Sequence, residues 1–181
     1  DLQKLRHLQG QYFRELTPER CRAEVHRAID ERYASLLPLF KERMAFGGDY
    51  LWQAEPFYAE SVSPHADDLL PKGLERADAR YLLEQAQLAL KNYAQLEQAV
   101  WDAPSLERVV RTLLEERAQT KEGDAPEVLR LAKLWQAKTL FMVLRVAATG
   151  KKESPPLFDT LALLGATKVI ERLGTAQQKL R

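Results

Sequence analysis

The chain has 181 residues, 45% of them hydrophobic and 29% charged, and its 27 Lys+Arg against 26 Asp+Glu give a formal net charge of +1. That composition excludes a disordered polymer and a strongly basic, histone-like protein, and it is long enough for one domain or two small ones around a real core. Cys21 is the only cysteine, which excludes an intrachain disulfide, and no run approaches the roughly 18 uninterrupted apolar residues of a membrane span.

The N-terminus, DLQKLRHLQG, has no apolar signal core and no initiator methionine, which suits a cytoplasmic protein or a piece of a longer one. Leu2, Leu5 and Leu8 form a short helical stripe that stops at Gly10. Thr17-Pro18-Glu19 reads as a helix start, with a capping hydroxyl, proline at the first helical position and an acid in the first turn. Cys21, Val25, Ala28 and Ile29 share one face of that helix. Ser35 opens the next, with Leu36, Leu37, Phe40 and Met44 inward and Gly47-Gly48 as its stop. Residues 49–65 mix aromatics with two prolines and read as a short helical turn followed by a connector.

The strongest predicted helix runs from Ala77 to about Gln98, with Leu82, Ala86, Ala89, Leu90, Tyr93 and Leu96 in register. Asp102-Ala-Pro-Ser105 interrupts it, and Leu106, Val109, Val110, Leu113 and Leu114 carry the following helix. KEGDAPE at 121–127 is a loop, with Asp124 or Ala125 leading into another helix. Leu140 to Ala148 form a helix closed by Gly150, Phe158 to Leu164 a short one ended by Gly165, and a last amphipathic helix runs through Ile170 and Leu173. Strand-like alternation is almost absent. The predicted fold is all-α, in two packed helical subdomains, 1–64 and 65–181.

A catalytic constellation does not emerge. His7, His26 and His65 lack ligand-like spacing, Cys21 and His26 do not suit one metal, and Gly47-Gly48 lacks the flanks of a phosphate loop. Carboxylates alternate with bases, as on a solvated helix face. Catalytic residues, metal ligands and cofactors are therefore all expected to be none. Charge order says more: between Glu127 and Glu153 there is no acid, while Arg130, Lys133, Lys138, Arg145, Lys151 and Lys152 fall in that window beside Trp135 and Phe141. Cations with aromatics among them suit an RNA partner, by phosphate neutralisation and base stacking. Helically spaced aromatics also suit a plain core.

The segments LRVAATG (144–150), KKESPP (151–156), LFDTLALLG (157–165) and VIERL (169–173) resemble the C-terminal anticodon-binding region of bacterial-type glutamyl-tRNA synthetases. That family carries an LRVALTG helix, a Ser/Thr-Pro loop, an LF-x-x-LALLG helix and a terminal helix. KLRHLQGQYFREL (4–16) is similar to the family segment KLEWLNGQYIREL, and 39–60 follows its arginine-bearing helix and aromatic segment. Ala147-Ala148 stands where family members usually place a leucine, and Pro156 where glycine is common. Residues 121–140 look longer than the usual connection.

The resemblance implies a helix cage that grips the anticodon loop of glutamate tRNA. Arg145, Ser154, Pro155 and Leu157 would be the base-reading edge and Arg43 an earlier reader of the last anticodon base. Arg145 can offer a planar fork, Pro155 and Leu157 an apolar ledge, and Ser154 a hydrogen bond or a helix cap. Lys151 and Lys152 would attract phosphate without reading sequence. It also implies a monomer whose ATP-using catalytic domain belongs to the same polypeptide and lies outside this sequence. The competing expectation is a stand-alone helical paralogue or adaptor that binds a protein partner or RNA.

Overall fold

The computed structural model describes residues 12, 15–20, 22–23, 36–41, 48–121 and 123–181. Every regular element among them is helical, as the sequence predicts: α1 (Leu37–Phe40), α2 (Gly48–Tyr58), a 3₁₀ turn (Ala66–Leu69), α3 (Arg76–Ala94), α4 (Ala103–Ala118), α5 (Pro126–Ala132), α6 (Ala137–Thr149), α7 (Leu157–Leu164) and α8 (Ala166–Lys179). No helix among the described residues is long and apolar enough to cross a membrane. The chain forms two compact units, Asp1–Tyr50 and Leu51–Arg181, whereas the sequence places its boundary at 64/65.

In the first unit the Thr17 Oγ1 accepts the Arg20 N–H at 3.4 Å, as expected of a cap, and Leu36 and Phe40 are buried. The predicted stripes at Leu2–Leu8 and Cys21–Ile29, and Met44, lie outside the described residues.

In the second unit α3 packs on α4 and α8, α4 on α7, and α6 on α8 and the 3₁₀ turn. The helical period explains this. Leu82, Leu83, Ala86 and Leu90 bury one face of α3, and Leu106, Val110, Leu113 and Leu114 one face of α4. In α6 the burial widens toward the C-terminus, where Val146, Ala147, Ala148 and Thr149 are all enclosed.

Two sequence expectations change. Helix α2 begins at Gly48 and continues to Tyr58 through Pro56, where a short turn is expected; the predicted helix stop at Gly47 lies outside the described residues. Proline cannot donate a backbone hydrogen bond, but near the helix end its carbonyl gains a tertiary partner, Arg172 Nη2 at 2.8 Å. Helix α3 stops at Ala94, short of Gln98, and Leu96 is 61% exposed. The Tyr93 hydroxyl donates to the Val100 carbonyl at 2.8 Å and accepts its N–H at 3.2 Å, which fastens a turn where a further helical turn would run. Helix α4 then starts cleanly: Asp102 Oδ1 accepts the Ser105 N–H at 2.9 Å, and Pro104 sits in the first turn.

The buried guanidinium of Arg172 on α8 joins separate parts of this unit. It donates to the Ala148 carbonyl at 2.7 Å, to Pro56 at 2.8 Å and to Ala59 at 2.7 Å. These carbonyls lie at the C-terminal ends of α6 and α2, where the helix dipole favours a cation. Burial pulls the Arg172 pKa below its ordinary value.

Candidate nucleic-acid interface

Helix α6 ends at Gly150, whose N–H still reaches the Val146 carbonyl at 2.7 Å and whose left-handed φ of 72° then turns the chain out of the helix. Thr149 organises the exit. Its hydroxyl donates to the Arg145 carbonyl at 2.7 Å and accepts the Lys151 N–H at 3.1 Å. The loop 151–156 thereby turns back along α6, and Arg145 Nε donates to Ser154 Oγ at 3.1 Å. Ser154 in turn donates to the Pro155 carbonyl at 3.0 Å. Two residues singled out by sequence, Arg145 and Ser154, are therefore in direct contact.

Other expectations for this loop change. Pro155 and Leu157 are buried, so their side chains belong to the packing beneath the loop; the exposed proline is Pro156. Ser154 does not cap α7. The N-cap residue is Pro156, and the Ser154 hydroxyl is engaged with Arg145 and the Pro155 carbonyl. Arg43 lies outside the described residues.

The stretch without acids in sequence meets acids in space. Lys151 Nζ lies 2.7 Å from Glu55 Oε2, and Lys152 Nζ lies 2.7 Å from Asp68 Oδ1. Arg130 pairs with Glu127 through Nε at 2.9 Å and grips both oxygens of buried Asp78 at 2.9 and 3.0 Å. Hydrogen bonds that Arg130 donates to Glu127 and then to Asp78 hold its pKa above the ordinary arginine value, and the contact with Glu127 keeps that carboxyl below the usual carboxylate range. Lys133 and Lys138 are exposed.

The aromatics divide. Trp135 is buried edge-on against Tyr81, with centroids 5.9 Å apart, so it is core and offers no stacking face. Half-buried Phe141 meets Phe158 at 5.2 Å, and the Arg111 guanidinium stands 5.7 Å from the Phe141 ring. A cleft of about 220 Å³ opens beside the loop, bounded by Glu55, Ser61, Ser63, Thr149, Gly150 and Lys151.

Sequence reasoning does not find Glu55 or Asp68, because nothing local ties them to lysines that far along the chain. Thr149 does carry a signal, a hydroxyl residue immediately before the helix-ending glycine.

A family model described as an anticodon binding domain matches residues 11–177. The glutamate–tRNA ligase of Chloroflexus aurantiacus is 33% identical over 195 aligned residues, covering 96% of this chain and 34% of that relative. That of Roseiflexus castenholzii is 35% identical over 149, covering 81% and 25%. That of Borreliella burgdorferi is 27% identical over 152, covering 84% and 27%. The chain thus spans between a quarter and about a third of the length of these relatives. With the family match running through α2, the Arg145 helix, the Ser154 loop and nearly all of α8, the chain belongs to the anticodon binding domain family and is similar along its length to glutamate–tRNA ligases.

Proposed function

We propose that this chain reads the anticodon of glutamate tRNA on behalf of a glutamate–tRNA ligase. The ATP-dependent attachment of glutamate then takes place on parts of that enzyme outside this sequence, and this chain needs no cofactor of its own. The observation that carries the reading is the Arg145–Ser154 hydrogen bond at 3.1 Å. It holds a guanidinium at the edge of a proline-stiffened loop, where a planar fork can address an unstacked base. Exposed Lys133 and Lys138 on the same acid-poor stretch supply attraction to phosphate that is independent of sequence. Arg43 is the proposed second base reader. The protein works as a cytoplasmic monomer in this reading.

The test is a fluorescence-anisotropy titration of the full chain with a glutamate tRNA transcript, beside the same transcript with its anticodon replaced, at two salt concentrations. A preference for the native anticodon supports base reading. Equal, steeply salt-dependent binding leaves only an electrostatic RNA surface, and absence of binding moves the function to a protein partner.

A further inference from the structure

The two lysines that flank the base-reading loop are adjacent in sequence, yet each is engaged by an acid from a different element. Glu55 on α2 holds Lys151, whose side chain is only 17% exposed, and Asp68 on the 3₁₀ turn holds Lys152, which is 55% exposed. Both contacts are 2.7 Å, within the range of a charge-assisted hydrogen bond. Glu55 itself is 66% exposed and borders the cleft beside Gly150, so an anion approaching Lys151 meets a carboxylate first.

We infer that Glu55 and Asp68 are autoinhibitory residues: their carboxylates occupy Lys151 and Lys152 in place of RNA phosphate and lower the affinity of this surface for any RNA that lacks other contacts. The inference rests on the RNA-binding reading above. Its energetics are favourable for such a role. Each pair keeps one partner open to solvent, Glu55 in one and Lys152 in the other, where screening keeps an ion pair weak, so an RNA seated by base contacts at the Arg145–Ser154 edge can displace them. Binding of unrelated RNA consists almost wholly of phosphate neutralisation. For that class, each masked lysine removes one phosphate contact.

The experiment compares the full-length wild type with Glu55→Gln, Asp68→Asn and the double variant. Each is titrated by anisotropy with a glutamate tRNA transcript and with an unrelated RNA hairpin over a salt series. Each substitution is expected to tighten binding of the hairpin about five-fold. Each should also steepen the dependence of log K on log salt by about 0.7 to 0.9. Lys151→Gln added to Glu55→Gln should abolish the gain at that site, which a purely structural effect would not do. Circular dichroism melts confirm that the variants fold, and the two pairs provide independent readings. Unchanged or weaker hairpin binding with an unchanged salt slope in both folded variants overturns the inference. If wild type does not distinguish the tRNA from the hairpin, the anticodon reading fails, while a gain on the hairpin still supports masking.

Discussion

Arg172 Nη2 donates to the carbonyl of Ala59 at 2.7 Å across 113 positions of sequence. The same guanidinium reaches Ala148 and Pro56, so a single side chain satisfies the ends of two helices. Arg172→Met would fill similar space and leave these carbonyls without their donor. We expect a loss of about 2–4 kcal/mol in urea unfolding. Arg172→Lys should recover only part of it, since one ammonium cannot replace a fork that spans both helix ends.

At the loop, Arg145→Ala is expected to weaken tRNA binding and relax anticodon preference, by the roughly 1–3 kcal/mol typical of a good bidentate base contact. Ser154→Ala removes the partner that holds Arg145 and should cost less, about 1 kcal/mol, in the same direction. Lys138→Ala should instead weaken every RNA alike. Anisotropy with native and anticodon-swapped transcripts separates the two patterns.

Gly165 ends α7 and starts α8 at φ 80°, ψ 158°, a conformation that side chains disfavour. A Cβ placed there would meet no atom within 4 Å, so the demand is on the backbone and not on space. Gly165→Ala should lower stability by about 1–3 kcal/mol, read as a reduced melting temperature with the helical spectrum retained.

Asp102 sits below the ordinary carboxylate range because of its hydrogen bond from Ser105, and Glu127 because of Arg130. A carboxyl lowered in the folded state adds stability above its unfolded pKa, about 4, and loses it as the pH falls through the lower folded value. Melting temperature should therefore hold steady near neutrality and fall in acid below about pH 4. Asp102→Asn keeps a capping oxygen but cannot titrate, so its melting temperature should fall less steeply over that acid range.

The helices legible in the sequence are those whose period and punctuation agree. Leu140 to Ala148 before Gly150, and Phe158 to Leu164 before Gly165, are largely apolar runs closed by a residue that stops them. The α3 boundary is less legible because the signal that ends it, Tyr93 bridging both polar groups of Val100, is a single side-chain contact within a run that still looks helical. The Arg145–Ser154 pair is foreshadowed by their nearness in sequence and by a family pattern. Glu55 and Asp68 are not, because an ion pair between distant segments leaves no periodic trace. Pro155 and Leu157 are expected from the sequence to form an apolar ledge for a base, but their burial is a property of what folds over them.

The contacts of α8 bear on when the second unit can take shape. Arg172 bonds to Pro56 and Ala59, Lys168 to the Phe57 carbonyl at 3.3 Å, and Gln87 to the Ile170 carbonyl at 2.7 Å. Each of these pairs α8 with a segment at least 83 positions before it. Pairings so far apart close late because their loops are long. Helices α3 and α4 can pair as soon as both are made, while the end of α2 waits for α8. A chain cut before Ala166 would keep the Arg145 loop but lose the Arg172 bond to the Ala148 carbonyl at its base, so α8 completes the platform on which the loop is presented.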